Sequence, residues 1–278
     1  MNQVRIVVDS TADLLPELRR QVDVVPLTVH FGQQEYVDGV TIQAEEFYRK
    51  LADCKELPTT SQATPFDFDK VFEPIIAEGD TVVAIVVSSR LSGTYQSARI
   101  AAEDYPGKVF VVDTLQVAIS SSVLVAYALD LVQKGMGAAE IAEELTAVRE
   151  KVHLMAVVDT LDYLQKGGRV SKTVAIAGGL LNVKPIIGLT EGEIKMLGKA
   201  RGNKQANALM NKEIARLGVD FSKPILLGYT GTDDALLRKY TEESSDLWEG
   251  RVLPATIVSA VIGTHAGPGV VAVAFFSK

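Results

Sequence analysis

The chain has 278 residues, of which 47% are hydrophobic and 23% charged, a composition typical of a globular protein at the length where one domain usually gives way to two. Its net charge of −7 argues against nucleic-acid binding, because recognition of a phosphate backbone needs a basic surface and no block of Lys or Arg is present. Cys54 is the only cysteine and none of the three histidines has HExxH spacing, which excludes a disulfide framework, a cysteine metal cluster and the usual zinc motif.

The beginning of the chain predicts a cytoplasmic protein. Residues 1–5 lead directly into a strand-like run, without the basic and apolar regions of a signal peptide. The most apolar segments, 81–87 and 270–276, are far shorter than the ~20 residues that a membrane-spanning helix requires. We therefore expect neither secretion nor insertion into a membrane.

The first half of the chain reads as an α/β domain. Buried strands are predicted for the apolar runs at 4–8, 81–87 and 109–112. Helical patterns follow near 93–103 and 117–134, and the acids and hydroxyls of residues 9–13 favour a helix cap over an aspartyl-phosphate nucleophile at Asp9. Such alternation predicts a mostly parallel sheet with helices on both faces, whose ligands bind at the carboxyl ends of the strands.

The second half reads as an α+β domain with a mixed or antiparallel sheet. A helix near 138–151 leads into a strand at 153–158, and 190–192 is a hairpin signal between strands at 183–189 and 193–198. Later strands are expected at 225–229, 251–254 and 270–276, between helices near 203–217 and 233–245. The predicted domains are therefore residues 1–150 and 151–278.

Polar segments beside two of the predicted helices are candidate anion sites. Residues 88–98 predict a strand, a polar turn and a helix start, where free backbone N–H groups favour an anion. The alternative is that Ser92 or Thr94 only caps this helix. Residues 58–68 place three hydroxyls before a proline and an amphipathic helix, and they can bind a carboxylate or serve only as a loop or cap.

Three glycine-containing turns add positive groups. Arg169 follows Gly167 and Gly168, directly before a helix expected near Lys172, and its alternative interpretation is a solvated Arg after a glycine helix cap. Arg201 lies in a basic turn between a strand and a helix.

The third turn contains His265, which is predicted in a tight turn between two apolar runs, where it can donate to an oxyanion or shuttle a proton. An acyl hydrolase or transferase that uses Ser92 and His265 stays open, because the members of a catalytic triad need only meet in space, although no GxSxG motif is present.

The ordered motifs of the chain resemble the DegV family of bacterial fatty-acid-binding proteins from end to end. The segments that carry the resemblance are DSTADL, PTTSQATPFDF, SSRLSGTYQSA, LQKGGRVS, GGLLNVKPII, GKARG and IGTHAGPGVV. The resemblance implies two α/β domains with a fatty-acid tunnel between them. It also implies a non-catalytic protein without cofactor or metal, which binds a long-chain fatty acid and presents the carboxylate to a separate fatty acid kinase subunit for acyl-phosphate formation.

The resemblance further implies roles for individual residues. Thr60, Ser92 and His265 would bind the carboxylate, with Ser61 and the backbone N–H of Gly93 as alternatives that the sequence does not separate. Ala63 stands where the family often has proline, which alters the stiffness of this loop more than its chemistry.

Ligands, partners and tunnel walls complete the expectations from the resemblance. Arg169 and Arg201 would lie near the mouth and serve the carboxylate or a docked kinase. The expected ligands are palmitate, stearate or oleate, with transient membrane contact during transfer and no nucleic acid. Candidate tunnel walls are the apolar runs 119–131, 175–181 and 186–189.

Overall fold

The computed structural model describes residues 3–171 and 182–278. The helices are α1 (Pro16–Arg19), α2 (Ala44–Asp53), α3 (Pro65–Ala77), α4 (Thr94–Ala102), α5 (Ile119–Gln133), α6 (Ala138–Val148), α7 (Asp162–Lys166), α8 (Gly202–Leu217), α9 (Ala235–Glu243) and α10 (Ala260–Ala266). The strands are β1 (Val4–Asp9), β2 (Asp23–Val25), β3 (Thr28–Phe31), β4 (Gln34–Val37), β5 (Thr59–Ser61), β6 (Thr81–Val86), β7 (Val109–Asp113), β8 (Val152–Val157), β9 (Val183–Thr190), β10 (Glu193–Arg201), β11 (Leu226–Tyr229), β12 (Ala255–Ile257) and β13 (Val271–Phe276). The helix expected to begin near Lys172 and the candidate wall 175–181 lie outside the described residues.

A four-stranded parallel sheet organises the first half, in the order β2-β1-β6-β7. Its strands are buried on both faces because alternate side chains enter different cores. On β6, Val83 and Ile85 pack with α5 and α6, whereas Val82 and Ala84 pack with α3 and α4. The predicted parallel sheet with helices on both faces is confirmed.

The loop after β1 differs from the prediction. Asp9 does not cap a helix: it is buried and accepts hydrogen bonds from the N–H and hydroxyl of Thr11 and from the N–H of Val87. The helix α1 begins only at Pro16. The predicted cap is wrong because this carboxylate instead joins the ends of β1 and β6.

A small antiparallel sheet, in the order β4-β3-β5, contains the hydroxyl-rich segment expected to be a loop or cap. That expectation is wrong for Thr59–Ser61, which form β5 and place Thr60 opposite Val29 of β3. A short polar run gives little sign of a strand, and this one is formed through pairing with a distant segment. Thr64 then caps α3 by accepting from the Asp67 N–H.

A six-stranded mixed sheet forms the second half, in the order β10-β9-β8-β13-β11-β12. The β9–β10 hairpin is confirmed, and its turn residues Glu191 and Gly192 have φ angles of 51° and 79°. The strand expected at 251–254 is wrong, because the strand begins at Ala255, directly after Pro254, which has no N–H to donate. The predicted fold class is confirmed, while the domain boundary near residue 150 stays a prediction.

The segment around His265 is also different from its prediction. A tight turn was expected from its glycines, but residues 260–266 form α10 and His265 lies in its last turn. Gly263 has no space for a side chain, because a Cβ there would be 2.6 Å from the Phe47 ring and from the Tyr48 hydroxyl oxygen. Gly267 ends the helix with a φ of 73°.

No helix in the described ranges is both long enough and apolar enough to cross a membrane.

Candidate functional site

A cavity lies where the carboxyl edge of the parallel sheet meets one face of the mixed sheet, with α10 beside it. Its volume is about 210 Å³, the space that about seven water molecules fill at roughly 30 Å³ each. Its apolar walls are Leu27, Val87, Leu91, Val117, Ala118, Ile119, Leu154, Ala156, Val158, Leu164, Ile187, Ile194, Val258, Val261, Ile262, Ala266, Val270 and Ala272. The polar wall residues are Thr11, Thr60, Gln62, Ser92, Arg169, Thr230 and His265.

The mixed sheet forms a long floor for this cavity. Four adjacent strands contribute Ile194, Ile187, Ala156 and Ala272 to the wall, and Thr230 follows directly after β11, the next strand of the sheet. Ala156 pairs with both Ile187 and Ala272, so their side chains share one face. Four strand spacings of about 4.8 Å give a floor about 19 Å across. The predicted walls at 119–131 and 186–189 contribute Ile119 and Ile187, respectively.

Thr60 and His265 meet at the polar part of the wall. The Thr60 Oγ1 lies 2.9 Å from His265 Nε2, across 205 residues of sequence. Alternation along β5 directs the next hydroxyl away, and Ser61 Oγ lies 2.7 Å from His30 Nε2. The structure therefore brings Thr60 into the cavity wall and places Ser61 outside it.

The position of Ser92 is compatible with both roles considered for it. Its Oγ accepts a hydrogen bond from the Thr94 N–H at 3.2 Å, at the start of α4, and lies 2.8 Å from Thr94 Oγ1. It also lines the cavity, as does Gly93. Both local support of the helix and contact with a bound ligand are therefore possible for the same hydroxyl.

Gln62 lies against Gly93 and was not indicated by the sequence. A Cβ on Gly93 would be 2.2 Å from Gln62 Oε1, and the Gln62 amide donates to Ser97 Oγ at 3.2 Å. Since Gln62 is two residues beyond Thr60, strand alternation extended past β5 would have placed it on the same face. Because the strand β5 was not predicted, this alternation could not be used to place Gln62.

Arg169 connects the two halves of the chain. Its Nε donates to the carbonyl oxygen of Leu91 at 3.2 Å and its Nη1 to that of Gly167 at 2.5 Å. Both acceptors are neutral, and no Asp or Glu among residues 3–171 and 182–278 forms an ion pair with it. Burial lowers the pKa of Arg169 somewhat, but an Arg keeps its charge in proteins. The cavity wall therefore contains a positive charge without a protein counter-ion in the described chain.

The imidazole of His265 is neutral near pH 7. Burial, with a further contribution from the charge of Arg169, lowers its pKa to about 4. Its Nδ1 is buried and, within the described ranges, has no hydrogen-bond partner. This atom lies beside Gly167, where a Cβ would be 2.2 Å from it. The sequence shows Gly167 only as one of two adjacent glycines and does not indicate its contact with His265.

The arrangement does not assemble a hydrolase from Ser92 and His265. Ser92 is hydrogen-bonded to Thr94 and His265 to Thr60, and no carboxylate of the described residues orients the imidazole. A histidine with a pKa of about 4 is also a weak general base.

Arg201 is not among the wall residues. Arg201 is exposed and is the last residue of β10. Glu193, the first residue of that strand, precedes it by eight residues. The hairpin turn contacts the first half through a hydrogen bond from Ser88 Oγ to the Gly192 carbonyl oxygen. At about 3.3 Å per residue, Arg201 lies about 26 Å along the strand from that turn.

The described residues contain no group of His, Cys, Asp and Glu that could hold a metal ion.

Comparisons with known proteins agree with the motifs. The family model described as "Uncharacterised protein, DegV family" matches residues 3–278. A DegV family protein of Thermus thermophilus described for fatty acid binding is 32% identical, with a TM-score of 0.88 over 99% of this chain and 100% of that one. A stearic-acid-binding protein of Eubacterium ventriosum is 27% identical, with a TM-score of 0.87 over 99% of both chains.

A more distant structure shares the fold. The fatty acid kinase B3 protein of Streptococcus pneumoniae, loaded with linoleic acid, is 23% identical, with a TM-score of 0.86 over 99% of this chain and 100% of that chain.

Proposed function

The chain belongs to the DegV family, and from this membership and the cavity we propose that it binds a long-chain fatty acid. The observation that carries the proposal is an apolar cavity whose polar wall includes the hydroxyls of Thr60 and Ser92, a neutral imidazole and the charge of Arg169. A carboxylate on a long apolar chain matches both parts. Two structural neighbours described for fatty acid or stearic acid binding support the same ligand class.

The apolar walls supply most of the affinity in this proposal. Each buried methylene contributes roughly 0.8 kcal/mol, so a dozen or more outweigh the contribution of the head group. The polar end then fixes which end of the ligand lies near Arg169. Palmitate, stearate and oleate are the proposed ligands.

At the head group, Thr60 and Ser92 donate their hydroxyls to the carboxylate and His265 donates a ring N–H. The Gly93 N–H is a neighbouring alternative, whereas Ser61 is turned towards His30. Arg169 supplies the electrostatic attraction, since its present partners are neutral carbonyl groups. Gln62 lies in the cavity wall at the same corner and packs against Gly93.

We further propose that the protein performs no catalysis itself and presents the carboxylate to a separate fatty acid kinase subunit, which forms the acyl phosphate. The motif resemblance supports this role, and the fold shared with a fatty acid kinase B protein agrees with it. Arg201 is exposed and outside the cavity, so it would contact the kinase and not the ligand. Transient membrane contact and a cytoplasmic location remain predictions, which fractionation of cells can test.

Extraction of the purified protein and mass spectrometry test the ligand class. We expect stoichiometric fatty acids of palmitate, stearate or oleate type. The delipidated protein should rebind palmitate more tightly than hexadecane, which lacks the carboxylate. Failure to recover or rebind any fatty acid would contradict the proposal, as would turnover of acyl esters that Ser92→Ala abolishes.

The kinase step is tested with Arg201→Ala and a kinase subunit with ATP. We expect unchanged palmitate affinity and impaired acyl-phosphate formation. The matched control is Arg19→Ala, another exposed arginine, on α1. Normal phosphorylation with Arg201→Ala would show that Arg201 is not part of the docking surface.

A further inference from the structure

The helix α10 belongs to the second half of the chain by sequence but packs on the first. It contacts α2, β3 and β5, together with α7. It also contributes Val261, Ile262, His265 and Ala266 to the cavity wall. Any movement of this helix therefore changes the wall and the position of the imidazole together.

Side chains from the first half bind three consecutive residues where this helix begins. The Asp13 Oδ1 accepts from the Ser259 N–H at 2.8 Å, and the Asp38 Oδ1 accepts from the Ala260 N–H at 3.2 Å. The hydroxyl of Tyr48 donates to the Val258 carbonyl oxygen at 3.0 Å. These contacts span more than 200 residues of sequence.

Both carboxyl groups are deeply buried, with exposures of 5% for Asp13 and 4% for Asp38. Burying a carboxyl group costs free energy unless it is hydrogen-bonded, so such a group rarely lies in a core without a structural task. Here each one satisfies a backbone N–H at the beginning of α10, which would otherwise lack a helical partner. The liganding role assigned to the other polar groups does not use them, since neither lines the cavity.

We propose that Asp13 and Asp38 are positioning residues of the fatty-acid site, which fix the start of α10 and thereby set where His265 meets Thr60. The helix rises about 1.5 Å per residue, so His265 lies only about 7.5 Å along the axis from Ala260. The Thr60 Oγ1 to His265 Nε2 distance of 2.9 Å leaves little tolerance for a sliding or tilted helix. One end of α10 is held by the two acids and the other carries the imidazole.

The test compares substitutions that remove the acceptor oxygen with substitutions that keep it. Asp13→Ala and Asp38→Ala lose the bond to the helix, whereas Asp13→Asn and Asp38→Asn retain an acceptor oxygen. The control is Asp220→Ala, which loses a carboxylate bond to the N–H of Ser222 in a surface turn. Correct folding is checked by circular dichroism.

The first readout is the pKa of His265 in the protein without ligand, measured by NMR. We expect both Ala variants to raise it from about 4 towards 6.5, because a displaced imidazole is better hydrated. Burial raises the pKa of Asp13 to about 8 and that of Asp38 to about 6, so both carboxyls are largely protonated near pH 4. Their removal therefore takes away little charge there, and a rise in the pKa of His265 reports displacement of the imidazole. The Asn variants should stay near the wild-type value.

The second readout is palmitate affinity, which rests on the proposed function, whereas the NMR readout does not. We expect an approximately tenfold loss for the Ala variants and much less for the Asn variants and Asp220→Ala. Folded Ala variants with wild-type pKa and affinity would overturn the proposal, as would Asn variants that are as damaging as Ala.

If the Ala variants do not fold, Tyr48→Phe decides, because it removes only the hydroxyl at Val258. We expect a smaller change in the same direction, and wild-type values would again overturn the proposal. If the wild-type protein binds no palmitate, the proposed function fails while the comparison of His265 pKa values still tests the positioning role.

Discussion

The imidazole of His265 lies directly against the backbone of Gly167, where an added Cβ would stand 2.2 Å from Nδ1 and 3.1 Å from the Tyr163 carbonyl oxygen. Gly167→Ala should therefore displace the imidazole from its position beside Thr60. We expect palmitate affinity to fall about tenfold, which is about 1.4 kcal/mol and in the range of one hydrogen bond. Calorimetric titration measures this change.

The control for this substitution is Gly137→Ala, at a position with a φ of −76° and its nearest foreign atom 3.4 Å from the added Cβ. It should bind palmitate like the wild-type protein. Wild-type affinity in Gly167→Ala would mean that His265 does not contact the carboxylate.

Thr60→Val and Ser92→Ala should each weaken binding by about 1.5–3 kcal/mol, the usual worth of a hydrogen bond to a charged group. Valine keeps the shape of threonine, so a loss reports the hydroxyl. Ser61→Ala is the matched control, because the neighbouring hydroxyl faces His30. The proposed assignment of the carboxylate donors would be reversed if Ser61→Ala impaired binding and Thr60→Val did not.

Ala272→Phe should fill the cavity from its floor. Ala272 is 5% exposed and lines the cavity, so the added ring occupies the space of the acyl chain. Palmitate should then no longer raise the melting temperature, because only a bound ligand stabilises the folded state. Ala139→Phe adds the same ring at an exposed position of α6 and should leave this shift unchanged. A full palmitate shift in Ala272→Phe would place the acyl chain elsewhere.

The free energy of unfolding should fall as pH rises from about 6.5 to about 8, because of Asp13. Burial, together with the nearby carboxyls of Asp38 and Asp9, raises its pKa from 3.8 to about 8. In this window the folded chain keeps a proton that the unfolded chain has lost, so stability decreases with pH by at most about 1.4 kcal/mol per unit. The Ser259 N–H and the Tyr48 hydroxyl also face this cluster of acids.

Two of the other shifted groups, His265 and Asp38, act mainly outside this window. The lowered pKa of His265 makes stability rise between about 4 and 6.5, and the pKa of Asp38, raised by burial to about 6, acts mainly below the window. Denaturant titrations should show a flatter profile for Asp13→Asn. The Asp220 carboxyl has a lowered pKa, so it stays ionised throughout this window, and Asp220→Asn should keep the wild-type slope. Equal slopes in the wild-type protein and Asp13→Asn would exclude Asp13 as the cause.

Local patterns predict much of this fold. The strand, polar turn and helix around Ser92 and the hairpin at Gly192 follow from alternation and turn residues over short segments. The side chain of Thr60 could not be oriented in this way, since its direction depends on the pairing of β5 with β3. The helix around His265 was hidden by the glycines on either side of it, of which Gly263 leaves no room for a side chain beside Phe47 and Tyr48.

The functional residues were therefore easier to identify as residue types than to place in space. Arg169 and Leu91, or Thr60 and His265, meet only after both halves have folded together. Gln62 and Gly167 act through such contacts, and no local pattern marks them.

The helix α5 packs against β1 and β6 of one sheet and against β8, β11 and β13 of the other. One hydrophobic core consequently includes Ile6 and Val8 from the start of the chain together with Ala272 and Ala274 from its end. A fragment cut near residue 150 would leave one side of α5 in water, and neither fragment would contain a complete core. The chain should unfold cooperatively in a single transition, so a molecule with an intact binding cavity is one in which both halves are folded.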